Sequence, residues 1–77
     1  MLTHSTTELA LLVISQRKKL KLSQSEVANR VGLNQKTISA FENKPSSTEL
    51  NTLFRILSAV NLNMIVQDKN EAIISDG

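Results

Sequence analysis

The sequence predicts an all-α fold, a bundle of four to five short helices followed by one short C-terminal β-strand. Four successive segments carry apolar residues at helical spacing, and capping residues, a glycine and a proline separate them. Only the stretch LNMIVQ, at 62–67, alternates with a period of two. At 77 residues the chain is one small domain near the lower limit for a self-sufficient core, so oligomerisation is expected to add stability.

The first helix is predicted from Thr6 to Leu20. Ser5 or Thr6 can cap its N-terminus, and the lysines at its C-terminal end suit the helix dipole. Its apolar positions are Leu9, Leu12, Val13 and Leu20.

The second helix is short and begins after Ser23, which has the capping-box spacing to Glu26. Gly32 stands where a left-handed C-cap is expected. The apolar positions of this helix are Val27, Ala28 and Val31.

The third helix is predicted from Gln35 to about Asn43, with Asn34 as its N-cap and Ile38 and Phe41 facing inward. Pro45 cannot continue this helix.

The fourth helix is predicted to begin with a second capping box, formed by Ser46 and Glu49, and to end at Asn61. Its apolar stripe is wider than three small neighbouring helices can cover. The stripe consists of Leu50, Leu53, Phe54, Leu57 and Val60.

The alternating segment after the fourth helix predicts a single strand. Because the chain offers no second convincing strand, the simplest partner is the same strand of another copy, in a two-stranded ribbon across a dimer axis. The residues expected in this dimer strand are Leu62, Met64, Ile65 and Val66. The chain is predicted to consist of an N-terminal arm at 1–5, a helical domain at 6–61, the dimerising strand at 62–68 and a flexible tail at 69–77. Within the tail, residues 72–74 are the segment that is apolar enough to pack against another part of the protein.

Composition excludes several classes of protein. The chain has no cysteine, so it has neither disulfides nor thiolate metal sites, and the lone His4 has no carboxylates at ligand spacing. No Gly-rich phosphate loop or nucleophile motif is present, so we predict no enzyme, no metal and no cofactor. No apolar run is long enough to span a membrane and no signal peptide is recognisable, which favours a cytoplasmic, nucleoid-associated protein.

Positive charge is concentrated in one part of the chain. Residues 16–44 carry seven basic and two acidic side chains, whereas the remainder has a net charge of −3. This pattern is expected where one side of a domain meets phosphates, although a solvated basic surface has the same composition.

The spacing around Gly32 is the informative motif. Ala28 is small where two helices must cross closely, and Ile38 and Phe41 follow the glycine by six and nine residues. This is the helix-turn-helix arrangement, in which the second helix lies in the DNA major groove.

The segment LSQSEVANRVGLNQKTISAFEN resembles the Cro and C1 repressor class, also called the XRE family, with a lambda-repressor-like bundle. The resemblance runs from about Leu9 to Val60. The order of elements in TISAFENKPSSTELNTLFRILSAVNLNMIVQD is most similar to that of HipB-type antitoxins. This implies a homodimeric repressor that binds a palindromic operator of its own operon and holds a serine/threonine kinase toxin of the HipA type.

Uncharged amides and hydroxyls on the third helix suit the reading of base edges, whereas a uniformly basic helix binds phosphates without discrimination. The residues expected to read bases are Gln35, Lys36, Ser39, Asn34 and Ala40. Those expected at phosphates are Gln24, Thr37, Asn43 and Lys44. The alternative for each is a solvated surface position.

The resemblance also implies a structural ion pair between Arg17 of the first helix and Glu42 at the end of the third. It would orient the recognition helix. Two other functions stay open: a stand-alone phage or plasmid regulator without a toxin partner, and a helix-turn-helix domain that contacts only proteins.

Overall fold

The computed structural model describes residues 3–69. Within this range the chain forms four α-helices and one short 3₁₀ turn, which confirms the all-α prediction. The elements are α1 (Thr6–Lys19), α2 (Gln24–Arg30), α3 (Gln35–Asn43), the 3₁₀ turn (Pro45–Ser47) and α4 (Leu50–Ala59).

Three of the helices begin with the side-chain caps that the sequence predicts. Ser5 Oγ accepts a hydrogen bond from the Glu8 amide at 3.1 Å, and Asn34 Oδ1 accepts one from the Thr37 amide at 2.9 Å. Ser23 and Glu26 form the reciprocal capping box, at 3.0 and 2.9 Å. Each cap satisfies amide groups that the first helical turn leaves unpaired.

Left-handed residues end α1, α2 and α4. Lys21, Gly32 and Asn61 have φ values of 59°, 68° and 61°. In each case the next residue, a leucine, donates its amide hydrogen to a carbonyl five residues earlier, as in a Schellman motif. Gly32 is the favourable residue for this conformation between α2 and α3, and a Cβ atom there would lie 3.1 Å from Arg55 Nη2.

The hydrophobic core lies where the four helices meet. Ile38 and Phe41 of α3 are both buried, as predicted, and they fix which face of α3 points outward. The buried core consists of Ala10, Val13, Val27, Ala28, Ile38, Phe41, Leu53, Ile56, Leu57, Ala59 and Val60.

Long side chains join the ends of α2 and α4. Arg30 donates to the Ala59 carbonyl at 3.0 Å, while Arg55 donates to the Val31 carbonyl. Gln16 of α1 adds a bond to the Val60 carbonyl at 3.0 Å. These donors satisfy carbonyls that a helix C-terminus leaves unpaired. They also connect α2 with α4, and α1 with the end of α4.

The start of α4 differs from the prediction. The expected capping box of Ser46 and Glu49 is wrong, because Pro45–Ser47 forms a 3₁₀ turn and the helix begins at Leu50. Glu49 occupies the N-cap position without a side-chain hydrogen bond. A proline favours the first position of a helical turn, and here that turn is a separate 3₁₀ element.

The buried face of α4 is also rotated from the predicted stripe. Leu50 and Phe54 are 70% and 51% exposed, whereas Ile56 and Ala59 belong to the core. Leu53, Ile56, Leu57 and Val60 follow the i, i+3, i+4, i+7 spacing that faces the other helices.

The predicted C-terminal strand is not formed within the single chain. Residues 62–66 have no regular secondary structure, and Gln67 alone forms an isolated bridge. A strand needs hydrogen-bonding partners along its length, and residues 3–69 provide no neighbouring strand. Most of the predicted tail, 70–77, lies outside the described residues, as do residues 1–2 of the predicted N-terminal arm.

Candidate nucleic-acid interface

The outer face of α3 is positioned by its cap and by its buried face. Asn34 Oδ1 accepts hydrogen bonds from both the amide and the hydroxyl of Thr37, at 2.9 and 3.0 Å. Because Ile38 and Phe41 are anchored in the core, Gln35 and Lys36 lie exposed on the opposite side. The polar residues expected to read bases therefore share the free side of this helix with Ala40, which is also exposed.

Arg17 and Glu42 form a bidentate ion pair between α1 and the end of α3. Arg17 Nε donates to Oε2 of Glu42 at 2.8 Å, and Nη2 donates to Oε1 at 3.1 Å. The two side chains are only 13% and 7% exposed. Arg17 also donates from Nη1 to the Leu22 carbonyl at 3.0 Å. A planar guanidinium with this many partners restricts the position of α3 relative to α1.

Gln24 extends this contact to the outer face of α3. Its Nε2 atom donates to Glu42 Oε1 at 2.9 Å, and its Oε1 atom accepts from Gln35 Nε2. The side chains of Arg17, Glu42, Gln24 and Gln35 thus form one continuous chain of hydrogen bonds. Gln35 retains its Oε1 acceptor and one N–H donor, the pair of groups that can bind the edge of adenine.

The C-terminal half of α3 has a second polar pair. Asn43 Nδ2 donates to Ser39 Oγ at 3.2 Å. This bond uses one acceptor site of the Ser39 hydroxyl and leaves its proton free to donate. Asn43 and Lys44 are exposed, while Ser39 is half-buried.

An open groove runs between α3 and the start of α4, and it is called the α3–α4 groove below. One wall consists of residues that the sequence singles out: Asn34, Lys36, Thr37, Ala40, Asn43 and Lys44. The other wall consists of Ser47, Thr48, Glu49 and Thr52. Sequence reasoning missed this second wall, although three hydroxyl side chains close behind Pro45 are a signal for it.

The structure does not bring the dimer-strand residues into the α3–α4 groove. Met64, Ile65 and Val66 are 41%, 60% and 65% exposed, and Leu62 packs against the core. Leu62, Met64 and Ile65 line a separate, largely apolar cleft together with Leu9 and Leu12 of α1.

The part of the chain that the structure describes has neither a metal site nor a membrane span. Residues 3–69 contain no group of three or more His, Cys, Asp or Glu side chains able to hold a metal ion. None of the described helices has the length and apolar character needed to cross a membrane.

Comparison with known proteins identifies the motif. A family model described as helix-turn-helix matches residues 13–65, which include α2, α3 and the turn between them. The antitoxin HipB of Escherichia coli K12 is 41% identical over 69 residues, which span 90% of this chain and 78% of HipB. The chain is a HipB-like member of the helix-turn-helix family.

The solved structures of HipB extend this similarity to three dimensions. A chain in a HipA–HipB–O2–O3 complex has a TM-score of 0.85 and 39% identity, covering 90% of this chain and 97% of the matched chain. A HipB–O4 20mer complex gives the same TM-score and coverage. The HipB-like fold therefore includes the segment after the helix-turn-helix motif as well as the motif itself.

Proposed function

We propose that this HipB-like chain is a sequence-specific DNA-binding repressor that acts as the antitoxin of a HipA-type kinase toxin and represses its own operon. It works as a homodimer on a palindromic operator, in the cytoplasm and in association with the nucleoid. It is not an enzyme, in keeping with relatives that are named antitoxins.

Sequence-specific DNA binding is supported above all by the fixed position of Gln35 on α3. Its amide is tied through Gln24 to the Arg17–Glu42 ion pair, so it is oriented before DNA arrives. Pre-orientation lowers the conformational entropy that base reading would otherwise cost. A glutamine that was only a solvated surface residue would need no such chain of hydrogen bonds to hold its amide.

Base reading is assigned to the outer face of α3. Gln35 suits the paired donor and acceptor of adenine, Lys36 suits guanine O6 and N7, and Ser39 donates to an acceptor on a base edge. Asn34 and Ala40 flank this set, and the Ala40 methyl suits contact with a thymine methyl group.

Phosphate binding is assigned to residues around this face. Lys44, Asn43 and Gln24 retain N–H donors for this role, and Thr37 would take part by turning to phosphate the hydroxyl proton that it donates to Asn34 in the single chain. The hydroxyl wall of the α3–α4 groove adds donors of the same kind: Ser47, Thr48 and Thr52. These contacts set the register of the domain on DNA and carry no base preference of their own.

The antitoxin part is supported by how much of the chain is similar to HipB. The match covers 90% of the chain and therefore extends beyond the helix-turn-helix motif. HipB is found together with HipA in one of the solved complexes. Exposed surfaces of α1 and α4, and the C-terminal part with its acidic residues, are the surfaces available to the toxin.

Dimerisation is assigned to the segment after α4. Its apolar side chains at 64–66 are largely exposed in the single chain, and unpaired apolar residues of this kind favour association. In the dimer, Leu62, Met64, Ile65 and Val66 would form the two-stranded ribbon with the same residues of the second copy. The isolated chain lacks that partner and forms no strand there.

The test is binding to the DNA upstream of the chain's own gene, followed by footprinting at several salt concentrations. We expect a protected palindrome that survives competitor DNA, and a supershift when the neighbouring kinase is added. Protection without any effect of the kinase would favour a stand-alone regulator. Weak binding without sequence preference would favour a domain that contacts only proteins.

A further inference from the structure

The α3–α4 groove contains one charge that is unfavourable for binding phosphates. Lys36 and Lys44 line one wall and hydroxyl side chains line the other, and Glu49 is the acidic residue among the described residues that line it. Glu49 is exposed at the N-cap position of α4. Its carboxylate therefore lies on the side of the domain where the proposed DNA backbone passes.

Glu49 has no structural role of the kind found for the other glutamates within residues 3–69. Glu8 accepts a hydrogen bond from the His4 amide, Glu26 completes the capping box of α2, and Glu42 pairs with Arg17. The Glu49 side chain, by contrast, makes no capping hydrogen bond to α4. Serine, threonine, aspartate or asparagine would cap this helix better, so helix stability does not explain a glutamate here.

Electrostatics assigns a different role to Glu49. A carboxylate that lines the same groove as Lys36 and Lys44 reduces the positive potential that attracts DNA phosphates. It also opposes the partial positive charge at the N-terminus of α4, the end of the helix that lines the groove through Glu49 and Thr52. Because a dimer carries two copies, the effect on the whole complex is doubled in free energy.

We propose that Glu49 limits the affinity of this protein for DNA by repelling the phosphate backbone across the α3–α4 groove. The inference rests on the proposed function, because it requires the groove to face DNA. Glu49 thereby keeps the salt-dependent part of the DNA-binding free energy small, and base contacts from α3 contribute a larger share of that free energy.

The test compares Glu49→Asn with Glu49→Asp. Both residues are strong N-caps, so α4 begins equally well in both variants and only the charge differs. On random duplex DNA at low salt, we expect Glu49→Asn to bind about threefold more tightly per protomer than Glu49→Asp, or about tenfold for a dimer. The difference should shrink as the Debye length falls from about 30 Å at 0.01 M salt to about 10 Å at 0.1 M.

Glu8→Gln is the matched control, because it removes one negative charge at the start of α1, outside the residues that line the groove. It should change DNA affinity by much less than Glu49→Asn does. Equal affinities of the Asn and Asp variants, or an equal gain in Glu8→Gln, would overturn the proposal. Operator footprinting of the unmodified protein tests the proposed function separately, because the comparison on random DNA requires no operator.

Discussion

At the scale of single residues, the outer face of α3 depends on side chains outside it. Gln35 donates to Gln24, Gln24 donates to Glu42, and Glu42 pairs with Arg17. A substitution in this chain of hydrogen bonds can therefore alter either the contact with a base or the position of the whole helix. The two effects are separable by measuring binding and stability independently.

Gln35→Ala should remove base discrimination and leave the fold intact. Gln35 is exposed, and its loss should cost about 1–3 kcal/mol on the cognate operator while binding to random DNA stays nearly unchanged. Titration of both duplexes by fluorescence anisotropy measures this. An equal loss on the two duplexes would show that Gln35 does not read a base.

Glu42→Ala should lower the free energy of unfolding by about 3 kcal/mol, because it leaves the guanidinium of Arg17 partly buried without its carboxylate. Urea unfolding at one fixed protein concentration measures the loss. The double variant Arg17→Met with Glu42→Leu is the control, and it should be more stable than Glu42→Ala because no buried charge remains unpaired. If the double variant is the less stable of the two, the unpaired charge is not the cause.

At the scale of elements, the helices differ in how their N-termini are satisfied. The capping box of α2 binds the Glu26 carboxylate to the Ser23 amide, and this bond lowers the pKa of Glu26 from its ordinary value of 4.5. The Ser23 hydroxyl and the charge of Arg30 act in the same direction. At α4 no such side-chain bond exists, although the sequence has the same spacing.

The lowered pKa of Glu26 predicts a pH dependence of stability. Since the folded state favours the carboxylate, this contribution is fully present above pH 4.5 and is lost as the pH falls through the lower folded value. Glu26→Gln preserves a capping-box residue but does not titrate. Its free energy of unfolding should therefore fall less steeply below pH 4.5 than that of the unmodified protein, as measured by urea unfolding from pH 3 to 7. Parallel curves would contradict the assignment.

At the scale of the whole molecule, the α3–α4 groove and the apolar cleft beside the proposed dimer segment have no lining residue in common. The groove carries Lys36 and Lys44 beside the outer face of α3, while the exposed Met64, Ile65 and Val66 of the proposed dimer segment follow α4. This separation allows one surface to bind DNA while another joins two copies. Spacing between the two recognition helices would then be set by the dimer contact.

Met64→Asp should weaken the dimer and, through it, the affinity for a palindromic operator. A charge buried between two copies of the ribbon is costly, whereas the neighbouring Asn63→Asp places the same charge on the opposite face of the predicted strand. Analytical ultracentrifugation and operator titration measure the two effects together. A fully dimeric Met64→Asp protein with unchanged operator affinity would exclude the ribbon.

Local features of the fold were predictable because neighbouring residues determine them. The caps Ser5, Ser23 and Asn34, the turn at Gly32 and the inward direction of Ile38 and Phe41 follow from short-range spacing. The same spacing identified the polar outer face of α3. It failed at Ser46, because Pro45 begins a separate 3₁₀ turn and the capping-box spacing alone does not reveal that turn.

The sequence by itself therefore determined the helices, their order and the type of side chain that faces outward. Beyond the Arg17–Glu42 pair that the family resemblance implies, only the tertiary structure decided which distant residues come together: Gln24 bonds both Glu42 and Gln35, and Glu49 lines one groove with Lys36 and Lys44. It also decided that Ile56 is buried and Phe54 exposed. The physical reason is that helical periodicity defines an apolar stripe, whereas the packing of α4 against α1, α2 and α3 selects which part of that stripe is covered.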